Sequence, residues 1–189
     1  MAGLMLVGGT GAQRDSLALL LRPLGFERPQ TAEWGSEAIR LASQSDFDLI
    51  LINTPLSDEF GKELAVGLVQ RTTASVILLV RADIGDQVAS EMEPYGILVL
   101  TKPLNRPIFL QSVRFVMATR ARIAGFKREN TRLQDKIEEI RLVDRAKCAL
   151  IQYLGMSEAT AHRYIEKQAM DLRKTKVQIA EGILKTNEA

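Results

Sequence analysis

The sequence holds one cysteine, Cys148, and one histidine, His162. One cysteine cannot form an intramolecular disulfide or a cysteine-based metal cluster, and one histidine leaves too few ligands for a zinc site. No oxidising compartment and no structural metal are therefore expected. No run of 18 apolar residues occurs, and Met1 to Val7 lacks the basic start and long apolar stretch of a secretion signal. The expectation is a cytoplasmic protein without membrane contact. Between Pro107 and Leu154 there is no further proline, and Gly125 is the sole glycine. That scarcity predicts one very long helix, broken once at most.

What is present suits packed cores: 189 residues, 46% of them apolar, are enough for one sizeable domain or two small ones. The net charge of +2 conceals an asymmetry. Residues 1–104 carry 8 Lys/Arg against 13 Asp/Glu, and residues 105–189 carry 17 against 10. A basic half suits a polyanionic partner, although a long helical segment also uses Lys and Arg as ordinary solvated surface.

Through the first hundred residues short apolar runs alternate with helical patterns. The strands are expected at Leu4–Val7, Arg28–Ala32, Leu49–Ile52, Val76–Val80 and Ile97–Leu100. Helices are expected at Gln13–Leu24, Ser36–Gln44, Lys62–Gln70, Ile84–Glu93 and from about Pro107. Such alternation predicts a five-stranded parallel sheet covered by helices on both faces, an α/β flavodoxin-like fold whose site lies at the carboxyl ends of the strands. Within the long helix Ile123, Phe126, Asn130, Leu133, Ile137 and Ile140 recur at alternating steps of three and four, a heptad seam with Asn130 at an a position. The seam predicts a coiled-coil homodimer, parallel or antiparallel, or else a helix lying on its own domain. The expected organisation is a first domain over 1–106, a dimerisation helix over 107–140 and a small all-α three-helix domain over 141–189. Gly155 should close the first of those helices. Ser157 should cap the second, which runs to about Lys174, and Thr175 with Gln178 should form a capping box for the third.

The first 104 residues resemble a response-regulator receiver: Asn53 with Gly61 eight residues on, Pro55-Leu56 between them, and Lys102-Pro103 after the fifth strand. The proline of that loop falls two residues earlier than the family's. The resemblance implies an acid pair that binds magnesium, an aspartate that takes up phosphate, a Ser/Thr that senses it and a lysine that contacts it. The matching positions here are Gly8 and Gly9, Asn53, Val80 and Lys102. Only the lysine is kept. A hard divalent cation needs carboxylate oxygens, and an amide forms no stable acyl phosphate. The chain is thus expected to be a pseudo-receiver that binds no metal, needs no cofactor and catalyses nothing, with Lys102 serving as a surface or hydrogen-bonding lysine. The stretch "VGGTGAQRDS" also imitates a dinucleotide fingerprint, but as G-x-G-x-x-G it gives Gly9, Gly11 and then Arg14, whose bulk blocks close helix–strand approach.

Residues 143–184 resemble the ANTAR domain, the RNA-binding module of certain transcription antiterminators. The resemblance rests on Ala146-Lys147, Leu150, Gly155, Ser157, Ala161, Gln168-Ala169-Met170, Arg173, Ala180 and Ile183-Leu184, and departs at Cys148, where glycine is usual. It implies an RNA-binding antitermination regulator whose dimer holds paired hairpins in a leader transcript. Ala146, Ala149, Leu150 and Tyr153 should form the apolar side of the first helix, and Ala161, Tyr164, Ile165, Gln168, Ala169 and Leu172 that of the second. Lys147, Gln152, Arg163, Lys167, Met170, Arg173 and Lys174 are the candidate RNA contacts, Arg163, Lys167, Met170 and Lys174 as a stripe on the second helix. His162 is expected at the surface, and Cys148 off the apolar stripe. A receiver without phosphate chemistry would be controlled by a regulatory protein, a small molecule or protein abundance. Two other readings stay open: a DNA-binding helix-turn-helix in "YLGMSEATAHRYIEKQ", and a scaffold that binds protein only.

Overall fold

The computed structural model describes residues 3–187; the outermost residues of the expected first and last domains, 1–2 and 188–189, lie outside the described residues. Two compact units divide between Arg122 and Ile123.

In the first unit, strands β1 (Leu4–Val7), β2 (Gln30–Ala32), β3 (Leu49–Asn53), β4 (Ser75–Arg81) and β5 (Leu98–Lys102) form one parallel sheet in the order β2-β1-β3-β4-β5. Helices α1 (Gly11–Leu21), α2 (Gly35–Gln44), α3 (Lys62–Arg71) and α4 (Gly85–Met92) alternate with them, and α5 (Arg106–Leu154) follows β5. This is the flavodoxin-like order. The central strands read as solid apolar runs because helices cover both faces. Met5, Val7, Ile50, Ile52, Val76, Leu78 and Val80 pack with Leu64, Ala65 and Leu68 of α3 and Val88 and Met92 of α4. The alternate residues Leu4, Leu6, Leu49, Leu51, Ile77 and Leu79 pack with Leu17 and Leu21 of α1 and with Phe109 and Val113 of α5. Full burial of a side chain such as Phe109 is worth about 1.5–3 kcal/mol. Arg120 ties the same helix down: its guanidinium meets Asp48 Oδ1 at 2.6 Å and donates from Nε to the Thr73 carbonyl at 3.2 Å.

Element ends moved for local reasons. Helix α1 starts two residues before the expected Gln13, because Thr10 and Gln13 form a capping box in which Thr10 Oγ1 accepts from Gln13 N and Gln13 Oε1 from Thr10 N. It stops at Leu21, since Pro23 shapes a separate 3-10 turn closed by Gly25. Helix α4 likewise sits between two 3-10 turns, Ala82–Ile84 and Glu93–Tyr95.

Helix α5 is unbroken over 49 residues. In the second unit its last turns pack with α6 (Glu158–Asp171) and α7 (Lys176–Asn187) around Ala146, Ala149, Leu150, Ala161, Ile165, Ile179, Ala180 and Leu184. Gly155 ends α5 in the left-handed region at φ 62°. Ser157 Oγ caps α6 through the Thr160 amide, and Thr175 with Gln178 forms the reciprocal box before α7, as the sequence implied. The small alanine-rich core draws the helices close and leaves their longer flanking side chains outside. Three residues placed on apolar sides by helical phase are consequently exposed: Tyr153, Tyr164 and Leu172. Leu172 also falls beyond the end of α6, which closes at Asp171 and not near Lys174.

Candidate nucleic-acid interface and the vacated receiver pocket

At the carboxyl end of the sheet the receiver-like pocket is filled by a network of one lysine, side-chain amides and a carbonyl, with no carboxylate in it. Lys102 Nζ donates to Asn53 Oδ1 at 2.8 Å and to the Thr54 carbonyl at 2.6 Å. Because ammonium can only donate, the amide oxygen of Asn53 must face Lys102 and its Nδ2 must point away, where it meets Gln13 Oε1 at 3.4 Å. Asn53 is buried and Lys102 half-buried, and burial lowers the lysine pKa from its ordinary value. Lys102 is thus an internal tie at the base of the pocket.

Glycine is required at both positions that match the family's acids. Gly8 and Gly9 stand at φ 75° and 71°, where side chains are strained. A Cβ on Gly9 would lie 2.5 Å from Asn53 Nδ2 and 2.9 Å from Gln13 Oε1; one on Gly8 would lie 2.8 Å from the Asn53 carbonyl oxygen. Carboxylates cannot stand there unless the network moves. Among the described residues no group of three or more His, Cys, Asp or Glu could hold a metal ion. The donor set therefore does not fit the magnesium ion that the resemblance implies.

The pocket does not include Val80. Strand alternation places it with Val76 and Leu78 in the core on the other sheet face. The β4 residue in register with Lys102 is Arg81, exposed and joined to Asp83 at 2.6 Å and 3.1 Å. Counting alternation back from the tip of β4 would have found it in the sequence. Neither residue carries a hydroxyl.

Along α5, Ile123, Phe126, Leu133, Ile137 and Ile140 are each at least half exposed, and Asn130 between them is exposed too. Five large apolar side chains in water along one helix are unusual for a surface with no partner.

In the second unit, α6 presents Arg163, Lys167 and Met170 to solvent, and Gln152 of α5 is also exposed. None of Arg163, Lys167, Arg173 and Lys174 makes an ion pair among the described residues. Lys147 differs: only 18% exposed, it is held by Asp144 at 2.7 Å and Glu158 at 3.8 Å, and the bond from Asp144 raises its pKa. Lys174 leaves the predicted stripe, because the chain turns at Arg173 in the left-handed region, φ 52°. An open groove of about 360 Å³ is lined by Lys147, Glu158, Ala159, His162 and Arg163. His162 is half exposed, with Nε2 at 3.3 Å from Glu166 Oε1, the oxygen that also takes Lys176 Nζ at 2.6 Å. The bond from Lys176 lowers the Glu166 pKa. Only tertiary packing brings Glu158 and Lys176 into these clusters, and no spacing in the sequence signals it. Cys148 is exposed.

Residues 131–184 match the ANTAR domain. The transcriptional regulatory protein PdtaR of Mycobacterium tuberculosis is 28% identical over 173 residues, 92% of this chain and 84% of that protein. The aliphatic amidase regulator of Pseudomonas aeruginosa is 28% identical over 127 residues, 67% of this chain and 63% of that protein. Among solved structures, the signal receiver domain of an HD domain-containing protein from Pseudomonas fluorescens superimposes with a TM-score of 0.58 at 21% identity, over 66% of this chain and 92% of that one. At that identity the superposition shows the receiver fold. No helix among the described residues is long and apolar enough to cross a membrane.

Proposed function

The chain is an ANTAR regulator with a receiver-like domain, and on that premise we propose that it is an RNA-binding transcription antitermination regulator that works as a homodimer, without phosphorylation of its receiver. The observation that carries the reading is the set of exposed cations Arg163, Lys167, Arg173 and Lys174, which lack acidic partners among the described residues and lie inside the ANTAR match. Cations of this kind supply salt-dependent affinity for a phosphate backbone, and the ANTAR resemblance specifies RNA hairpins of a nascent leader. Two such modules on one dimer raise the effective concentration of the second hairpin contact, so that two weak contacts become one useful one. The heptad seam on α5 is the proposed means of pairing, over residues 107–140, with the RNA-binding domain over 141–189. The receiver-like domain then takes its input by contact with a protein or small molecule, or gives way to control by abundance.

The decisive experiment is competition between leader RNA hairpins and duplex DNA for the full chain at physiological salt, with wild type and Lys167→Ala. RNA should win, and Lys167→Ala should weaken binding and flatten the salt dependence by about one phosphate contact. Preference for DNA would assign the α5–α6 region to helix-turn-helix recognition instead.

A further inference from the structure

Helix α2 begins without a cap of its own. The residue at its N-cap is Trp34, which makes no side-chain capping bond, and a helix that starts so leaves first-turn amides in need of acceptors. The acceptor comes from the β3–α3 loop. The Asp58 carboxylate takes the Gly35 amide at 3.0 Å and 3.3 Å, while Glu37 reaches back to the Glu33 amide at 2.9 Å. A cap supplied from another crossover ties the start of α2 to the closure of that loop.

The same loop is held at its other end by packing. Leu56 is buried, and its Cδ2 occupies the space that a Cβ on Gly8 would take, so an apolar side chain fills the place that matches one of the family's acids. Its amide donates to the Glu59 carbonyl at 2.9 Å and closes the loop on itself. Between these two anchors stands a group that opposes them. Glu59 is half-buried over Gly35, where a Cβ would collide with its Oε1, and no cation pairs with Asp58, Glu59 or Glu63 among the described residues. Burial raises the Glu59 pKa first, and the charges of Asp58 and Glu63 raise it further. Its ionised form is therefore disfavoured in the closed loop, whereas the Asp58 carboxylate gains from the amide and the dipole of α2. Two adjacent carboxylates pull the loop in opposite directions.

We propose that residues 55–61 are a latched strap: Asp58 holds it to the first turn of α2, Leu56 seats it beside Gly8, and the charge of Glu59 keeps the closure weak enough to be switched by contact. A positive group brought to Glu59 locks the strap, and loss of the Asp58 bond opens it. The proposal rests on the reading above that the receiver-like unit takes its input by contact, and names the element that the input moves. Trp34 reports the position of the strap, because it is joined directly to Gly35 and is 47% exposed.

The test is amide hydrogen exchange on the full chain, read by mass in peptides that cover residues 33–38 and 55–61. Emission from Trp34, the single tryptophan, is the second readout. Asp58→Ala should speed exchange about tenfold in both peptides together. Glu59→Gln removes the charge and keeps the shape, so it should slow both peptides severalfold and shift Trp34 emission in the opposite sense. Peptides from β4 should be unaffected in either variant, which separates opening of the strap from unfolding of the unit. Acceleration confined to 33–38 in Asp58→Ala overturns the proposal, since Asp58 would then be a plain helix cap. Faster exchange in Glu59→Gln, or no change in either variant, overturns it too. Failure of the contact reading would show instead as a phosphoryl adduct after treatment with acetyl phosphate and magnesium, a result that no exchange pattern imitates.

Discussion

The two units of the chain differ most in what surrounds their cores. The receiver-like unit sandwiches a five-stranded sheet between helices on both faces, with Ile50, Ile52, Ile77 and Leu78 wholly buried. The ANTAR unit closes three helices over a core of eight small or medium residues, four of them alanine. Deep burial gives the first unit reserve, while the second has little to spare. Side-chain truncation exposes that difference: Ile165→Ala and Phe109→Ala should each cost about 2–5 kcal/mol. In circular dichroism melts the Phe109→Ala chain should retain a cooperative receiver transition at lower temperature. Ile165→Ala should remove the folded signal of the ANTAR helices outright and RNA binding with it. A cooperative, merely shifted melt for both variants would show the small core to be sturdier than its composition suggests.

The seam on α5 permits a second contrast, between apolar residues that stabilise a unit from within and those that the proposed dimer would cover. Leu133→Asp with Ile137→Asp should leave both units folded and yield monomers in sedimentation equilibrium. Binding to paired hairpins should fall about a hundredfold, and binding to a single hairpin should scarcely change. A dimeric double variant would place the interface elsewhere.

Most of the receiver-like fold was legible because buried parallel strands are continuous apolar runs, and all five appear within two residues of their expected ends. The pocket was legible as a neighbourhood at Gly8, Gly9, Asn53 and Lys102, which the structure brings together at the carboxyl end of the sheet. It was misread at Val80, where a one-residue offset on a strand reverses the face, and Arg81 takes its place. In the ANTAR unit helical phase located Ala161 and Ile165 but overestimated the width of the core, so Tyr153, Tyr164 and Leu172 emerge in water. The end of α6 was hidden because a left-handed arginine closes it where glycine would have announced the stop.

The vacated pocket can be probed by partial restoration. Asn53→Asp supplies the missing acceptor but none of the missing metal ligands, since Gly8 and Gly9 contribute no carboxylate. Acetyl phosphate with magnesium should leave the intact mass of both wild type and Asn53→Asp unchanged. A phosphoryl adduct on either would mean that the cradle assembles an ion from other groups.

A smaller and more specific effect concerns Lys102. Burial lowers its pKa in the folded chain below the ordinary lysine value, so between the folded and unfolded pKa values the unfolded chain binds more protons. Stability contributed through this group therefore rises as pH climbs through that interval towards 10.5. Lys62 and Lys147 have the opposite sign, their pKa values being raised by Glu91 and Asp144, so the total alkaline profile mixes the two. The difference between wild type and Lys102→Met isolates the term. Lys102→Met leaves the Asn53 and Thr54 oxygens without their donor, at a cost of about 1–3 kcal/mol near neutral pH. In denaturant melts at successive pH values, wild type should gain on the variant as pH rises over the alkaline interval. A constant gap would mean that Lys102 keeps its ordinary pKa and that its bonds to Asn53 and Thr54 fully offset its burial.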